Sequence, residues 1–255
     1  MSLALIMTDY TDTQRSQLSN QEMLLSALES AKQANKAKSV FLSRMSHELR
    51  TPISSIIGLT DISLMDSSVS PELFDRFSKI AMSSKHLLTL INKILDMSGI
   101  ESGITKLVNE PFETMSLIKD IQKNIDMDCQ IGGVTFSVTT SDNLPEKLTG
   151  DSAKLRQILS NILENSVRFT PRGGNIGMSV TVESSDTHSV QVLFSIKDTG
   201  IGISDSFMPH IFEAFSQENI SNSSQYGGTG LGLAITKNIV SLMGGTISVD
   251  SKKNR

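Results

Sequence analysis

Two heptad-spaced apolar stripes in the first hundred positions constrain this chain more than any other feature. If residues 18–51 form one helix, Leu24, Leu28, Ala31, Leu42 and Met45 share a stripe that Asn35 and Lys38 interrupt. Helical periodicity holds from about Gln17 to Met65. A bend is expected at Pro52, because proline removes an N–H and crowds the carbonyl of Glu48. Ser70-Pro71-Glu72 opens a second helix with a capping hydroxyl and proline at the first helical position. Leu73, Phe77, Ile80, Leu87, Ile91 and Ile94 extend a second stripe to about Ile100. Two long helices with one stripe each cannot bury both alone. Two hairpins paired in a four-helix bundle can, so a homodimer is expected.

From Glu110-Pro-Phe112 the pattern changes to strands alternating with shorter helices. Val134, Phe136 and Val138 alternate, as do Ile176, Met178, Val180 and Val182, then Val190, Val192, Phe194 and Ile196. Between the first two runs Asp151 caps a helix through about Arg168, which Thr170-Pro-Arg-Gly-Gly ends. A mixed sheet with helices on one face follows, making the chain α+β with a two-layer α/β sandwich as its second part. The expected division is a helical hairpin over 16–102, a hinge over 103–109 and a second domain over 110–255. Residues 216–228, rich in Ser, Asn and Gln, read as a mobile loop. Within 1–15, Leu3–Thr13 reads either as a short apolar strand or as an unstructured start, and Met1-Ser-Leu as a cloning remnant. The chain stops at Asp250-Ser-Lys-Lys-Asn-Arg255.

The chain has 23 basic and 27 acidic residues, so it lacks the basic face of a nucleic-acid binder. One cysteine, Cys129, excludes an internal disulfide and fits a reducing compartment. No apolar run reaches the length of a membrane span. These readings place the chain in the cytoplasm, with any membrane anchor in parts of a parent protein outside it.

His47 lies about 140° round from the first stripe at roughly 100° per residue, so its imidazole faces solvent. Glu48 is its neighbour and Thr51 is one turn further along the same face. An exposed imidazole beside a carboxylate and a hydroxyl is a nucleophile site. His86, His188 and His210 have no such company, and no His/Cys set has metal-ligand spacing.

Asn161, Asn165 and Arg168 share one helix face, as either a solvated surface or a site. As a site, amide oxygens suit Mg²⁺, which takes few protein ligands plus substrate phosphates, and Arg168 clamps a phosphate. Asp198-Thr-Gly-Ile-Gly202 is either a strand-ending turn or a carboxylate accepting from an adenine amino group beside glycines that admit the base. Gly228-Thr-Gly-Leu-Gly232 precedes a helical run, Ala234–Met243, where free backbone N–H groups suit phosphate. Neither the Rossmann spacing nor a P-loop occurs. Phe212 and Phe215 are expected to be packing anchors for the loop.

Five segments resemble, in order, the boxes of sensor histidine kinases. Phe41–Pro52 resembles the phosphoacceptor box, Asn161–Thr170 the asparagine box and Asp198–Ser204 the first glycine box. Ile211–Gln217 resembles the phenylalanine box and Gly227–Leu233 the second glycine box. The resemblance implies a dimeric helical hairpin followed by a Bergerat-type (GHKL) ATP-binding sandwich. It implies ATP held by Asn161, Asn165, Arg168, Asp198, Gly200, Gly202, Tyr226, Gly228, Thr229, Gly230, Leu231 and Gly232, with Mg²⁺ on Asn165 assisted by Asn161. It implies autophosphorylation of His47, with Glu48 acting on the imidazole proton, and transfer to an aspartate of a response-regulator receiver domain. Thr51 would serve dephosphorylation of that partner. Residues 1–15 resemble the end of a PAS-type sensor domain. The chain departs from the family in Arg168, where lysine is commoner, and in Asn222–Tyr226, which lacks the usual arginine or lysine. It also ends before the family's final strand. A catalytically weak nucleotide-binding scaffold is the alternative reading. A chaperone- or gyrase-type ATPase ranks last, since it needs a carboxylate where Asn161 stands and gives His47 no role.

Overall fold

The computed structural model describes residues 2–66, 68–186, 189–218 and 229–253, with side chains from Ser16 onward except those of Lys36, Ser39 and Ser43. The chain divides into two compact units, Met1–Ile104 and Thr105–Arg255.

The first unit is a helical hairpin of α1 (Ser2–Met65) and α2 (Pro71–Glu101). The strand expected over Leu3–Thr13 is not there, because α1 begins at Ser2. Leu3, Ile6, Met7 and Tyr10 repeat at three- and four-residue spacing, and extending an established helix avoids a second nucleation. Pro52 lies inside α1 without ending it. The turn between the helices is held by Asp66, whose carboxylate accepts from the Ser68 N–H and hydroxyl at 2.8 and 2.7 Å. Ser70 Oγ then accepts from the Leu73 N–H, the cap its sequence foretold.

The residues buried within the hairpin are Ser46, Ile53 and Thr60 on α1, seven apart, and Ala81, Ser84 and Ser98 on α2. Small side chains let the two backbones approach closely. Lys85–Asp61, Arg50–Asn92 and Lys38–Glu101 contacts at 3.1, 3.2 and 3.5 Å bridge the seam at its surface. Exposed pairs of this kind contribute less than about 1 kcal/mol each. Much of the apolar stripe remains uncovered on the single chain: Leu24, Leu28, Leu49, Ile56, Leu59 and Ile62 on α1, Leu73, Ile80 and Leu87 on α2.

The second unit runs β1 (Glu110–Glu113), α3 (Thr114–Gly132), β2 (Thr135–Thr140), β3 (Lys147–Gly150), α4 (Ser152–Phe169), β4 (Asn175–Ser185) and β5 (Val190–Asp198). A 3₁₀ turn at Met208–His210 and helix α5 (Gly232–Leu242) follow. The sheet has the order β2-β4-β5, parallel between β2 and β4 and antiparallel between β4 and β5. This is the mixed sheet expected. β1 and β3 form a separate antiparallel ribbon that the sequence pattern did not reveal, since four-residue strands are too short to show alternation.

Ile176, Met178 and Val180 of β4 point into a core completed by Leu117, Ile118, Ile121 and Ile125 of α3 and Leu159 and Leu163 of α4. Asp151, nearly buried, fastens α4 at its start: Oδ1 accepts from the Lys154 N–H at 2.8 Å and Oδ2 from the Val108 N–H at 3.0 Å. Ile247–Val249 alternate in sequence, yet form no strand.

Beyond them the chain end packs on the loop after β5. Ser251 Oγ accepts from the Ile203 N–H at 3.0 Å, and Lys253 pairs with Glu218. Burial pushes the Glu218 carboxyl up, but hydrogen bonds from Lys253 and Ser204 and the Lys253 charge more than offset it, so its pKa lies below the usual 4.5. A carboxyl whose folded value is lowered stabilises the fold fully above its unfolded value and loses that contribution as pH falls through the folded one. Glu218→Gln should therefore melt below wild type at neutral pH, with the gap narrowing on acidification below about 4.5. Thermal melts of both proteins across that range check this, and a gap independent of pH would contradict it.

Candidate functional sites

The hairpin carries one candidate site. Ser46 is buried, and a step of one residue turns about 100° round the helix, so His47 and Glu48 stand exposed on α1. Thr51 is exposed one turn on, and its Oγ1 donates to the His47 carbonyl at 3.3 Å. That bond uses the hydroxyl proton and leaves its lone pairs outward. His47 and Thr51 thus share an outward face, as the spacing predicted, with Glu48 beside them.

The second candidate site lies in the sandwich, on the polar edge of α4. Asn161 is buried and Asn165 half-buried, four residues apart, and Arg168 is exposed at the last turn. The Asn161 Nδ2 donates to the Gly232 carbonyl and to Thr236 Oγ1, both at 3.4 Å. Asn161 therefore fastens α4 to α5, and among the described residues its amide oxygen takes no hydrogen bond. These two amide oxygens are hard donors on one face. They fit Mg²⁺, a hard ion content with few protein ligands.

At the end of β5, Asp198 is exposed, while its oxygens accept from Ser166 Oγ and from the Gly200 N–H, each at 3.0 Å. The Ile201 N–H bonds the Phe169 carbonyl at 3.1 Å, which zips this loop to the end of α4. A side chain at Gly200 would meet that carbonyl at 2.8 Å, so the glycine is required by backbone approach. Gly202 at φ +70° packs against the Lys252 backbone. Asp198, at the end of β5, is thus tied through Ser166 to the helix that carries the asparagines.

Gly230 and Phe215 meet back to back. The Phe215 N–H donates to the Gly230 carbonyl at 3.0 Å, and a Cβ on Gly230 would lie 2.8 Å from the Phe215 Cα. Phe215 sits at φ +63°, a left-handed conformation rare outside glycine. It is 66% exposed, so it is not the packing anchor the sequence suggested; its backbone, held by Gly230, does the fastening. Phe212 is half-buried under the Lys237 ammonium, 5.4 Å from the ring centre. Thr229 Oγ1 accepts from the Leu231 N–H at 3.1 Å, and α5 starts at Gly232, where first-turn N–H groups have no carbonyl one turn back. Tyr226 and Gly228 lie outside the described residues.

Burial raises the Cys129 thiol pKa, with Asp126 and Asp128 adding to the rise, so this buried cysteine is no nucleophile. Among the described residues no cluster of three His, Cys, Asp or Glu side chains could hold a metal, and no helix is long and apolar enough to cross a membrane. Sequence reasoning passed over Ser166 and Thr236 because a serine and a threonine on amphipathic helices carry no spacing signal. Their partners are set only by the packing of α4 on β5 and α5.

Two family models match the chain. Residues 37–103 match the His Kinase A (phospho-acceptor) domain, and residues 150–255 the histidine kinase-, DNA gyrase B- and HSP90-like ATPase. Hybrid signal transduction histidine kinase A of Dictyostelium discoideum is 40% identical over 253 residues, covering 96% of this chain and 11% of that protein. The signal transduction histidine-protein kinase BarA of Escherichia coli K12 is 37% identical over 225 residues, 88% of this chain and 24% of BarA. The chain thus spans a quarter or less of the length of these relatives. Among solved structures, full-length ShkA in complex with AMPPNP superposes with a TM-score of 0.65 at 30% identity, over 80% of this chain and 41% of that one. Acinetobacter baumannii histidine kinase AdeS (TM-score 0.54, 21% identity, 81% and 92% covered) shares the fold. An exposed histidine on a helical hairpin, followed by this nucleotide-binding sandwich, places the chain in the sensor histidine kinase family of two-component signalling.

Proposed function

We propose that this chain is the autokinase core of its parent protein, using ATP to phosphorylate His47 and passing the phosphoryl group to an aspartate of a receiver domain. One observation carries the reading: an exposed imidazole, with a carboxylate beside it, on a chain whose second unit holds an adenine-type carboxylate and an asparagine pair on one helix. Asp198 accepts from the adenine amino group, and Gly200 and Gly202 let the base lie against backbone. The α5 N-terminus and Arg168 hold phosphate oxygens. Asn165, with Asn161, would hold Mg²⁺, which when bound offsets charge on the β- and γ-phosphates.

In the transfer, a lone pair of the neutral His47 ring attacks the γ-phosphorus while the bond to the bridging oxygen breaks and ADP leaves. Glu48 takes the proton from the other ring nitrogen, and an adjacent carboxylate favours the cationic ring as charge develops. The phosphohistidine then yields its phosphoryl group to a receiver carboxylate, restoring the imidazole. In the absence of transfer, Thr51 supports a second activity toward the phosphorylated receiver. Its proton is committed to the His47 carbonyl, so its lone pairs can accept from a water and hold it in line with the acyl phosphate. The reading places this part of the protein in the cytoplasm.

Domains of the phospho-acceptor class dimerise, and the uncovered stripe on α1 and α2 supports a homodimeric four-helix bundle for this chain.

Three outcomes test this function. With γ-labelled ATP and Mg²⁺ the protein should acquire acid-labile, base-stable label, and His47→Gln should acquire none; labelling of that variant at the wild-type rate rejects His47 as acceptor. Leu87 is exposed on the single hairpin, so Leu87→Glu should leave the hairpin folded yet place an unpaired charge in the dimer seam. Sedimentation should show a monomer, and an unchanged dimer would reject the bundle. Thr51→Ala should keep His47 labelling while slowing loss of label from the receiver. Equal loss with both proteins would leave Thr51 only its bond to the helix carbonyl.

A further inference from the structure

Asp198 is held from two directions, and only one of them belongs to its own loop. The Gly200 N–H, two residues on, binds Oδ1 at 3.0 Å. Ser166 Oγ, from the side of α4, binds Oδ2 at 3.0 Å. Ser166 is 5% exposed, whereas Asp198 is open to solvent. A buried hydroxyl thus reaches out to fix an exposed carboxylate. An ionised carboxylate has about four lone-pair positions, so with one taken on each oxygen, each keeps another for a ligand N–H. With the Gly200 contact alone, one oxygen is held and the plane of the group can turn about it. With both contacts, the plane is set.

We propose that Ser166 is a positioning residue for base recognition: its hydroxyl locks Asp198 in the orientation that accepts a purine amino group, and so sets the preference for adenine over guanine nucleotides. This rests on the assignment of Asp198 to the base made above. The chemistry is a matter of matched signs. Adenine presents an amino donor at the position where guanine presents a carbonyl acceptor. A carboxylate fixed in place meets a donor in the first case and repels an acceptor in the second. A carboxylate free to turn admits water between itself and the base, and the distinction weakens. Ser166 adjoins Asn165, so α4 alone would position both the metal-side amide and the base-side carboxylate.

The test is calorimetric affinity of the full chain for ATP and for GTP, with Mg²⁺, in wild type, Ser166→Ala, Ser166→Cys, Ser166→Thr and Asp198→Asn, alongside thermal melts. Wild type should prefer ATP. Ser166→Ala should weaken ATP by roughly three- to tenfold while leaving GTP unchanged, the range for one net hydrogen bond. Ser166→Cys, close in volume but a poor donor, should lose preference similarly without opening a cavity. Ser166→Thr, which retains the hydroxyl, should restore it. Wild-type preference in both the Ala and Cys variants, or equal weakening of ATP and GTP with a lowered melting temperature, would overturn the positioning role while Asp198→Asn still lost its preference. An Asp198→Asn protein that kept the preference, or a wild type without one, would instead overturn the base assignment itself, and this proposal with it.

Discussion

The second unit depends on one constraint, which is that α4 must satisfy two surroundings at once. Leu159 and Leu163 lie almost wholly buried in the core, and burying a leucine contributes about 1.5–3 kcal/mol. On the adjoining strip the same helix carries Asn161, Asn165 and Ser166, whose polar groups need partners wherever they leave water. Two of them find partners on neighbouring elements: Asn161 on α5 and Ser166 on the end of β5. The apolar face fixes the helix against the sheet, and the polar strip then meets whatever lies at that edge. Site and core are consequences of one helix orientation.

The hairpin reverses this balance. Its internal seam is narrow and rich in hydroxyls, with Ser46, Thr60, Ser84 and Ser98 among its buried residues, and the Ser46 hydroxyl has no hydrogen-bond partner among the described residues. Apart from Ile53, its large apolar side chains are half-buried or exposed, Leu49, Leu59 and Ile80 among the exposed. A seam of this composition brings backbones close but gains little from burial, so most of the apolar surface available for stabilisation lies on the side away from it. The unit is built to be completed from outside.

Much of this was legible because the signals are periodic or positional. The Ser70-Pro71 start, the Asp151 cap, three strands by alternation and the outward turn of His47 all follow from spacing alone. What was missed has a different character. The β1–β3 ribbon is too short for a period, and the brief apolar run at Leu3–Thr13 fits either a strand or a helix turn. At Phe215 the backbone, not the ring, carries the contact. The partners of Asn161 on α5 and the Ser166 partner of Asp198 on α4 lie between 32 and 75 residues away, and no local pattern reports such pairings.

The clasp between Phe215 and Gly230 has a consequence for how this protein family can vary. A segment whose ends are pinned together by backbone is topologically a closed ring attached at one point, and the entropy of closing such a ring grows only as the logarithm of its length. Lengthening the sequence between the clasped ends therefore costs the domain little closure entropy, even though Glu218, just inside the clasp, is tied to Lys253.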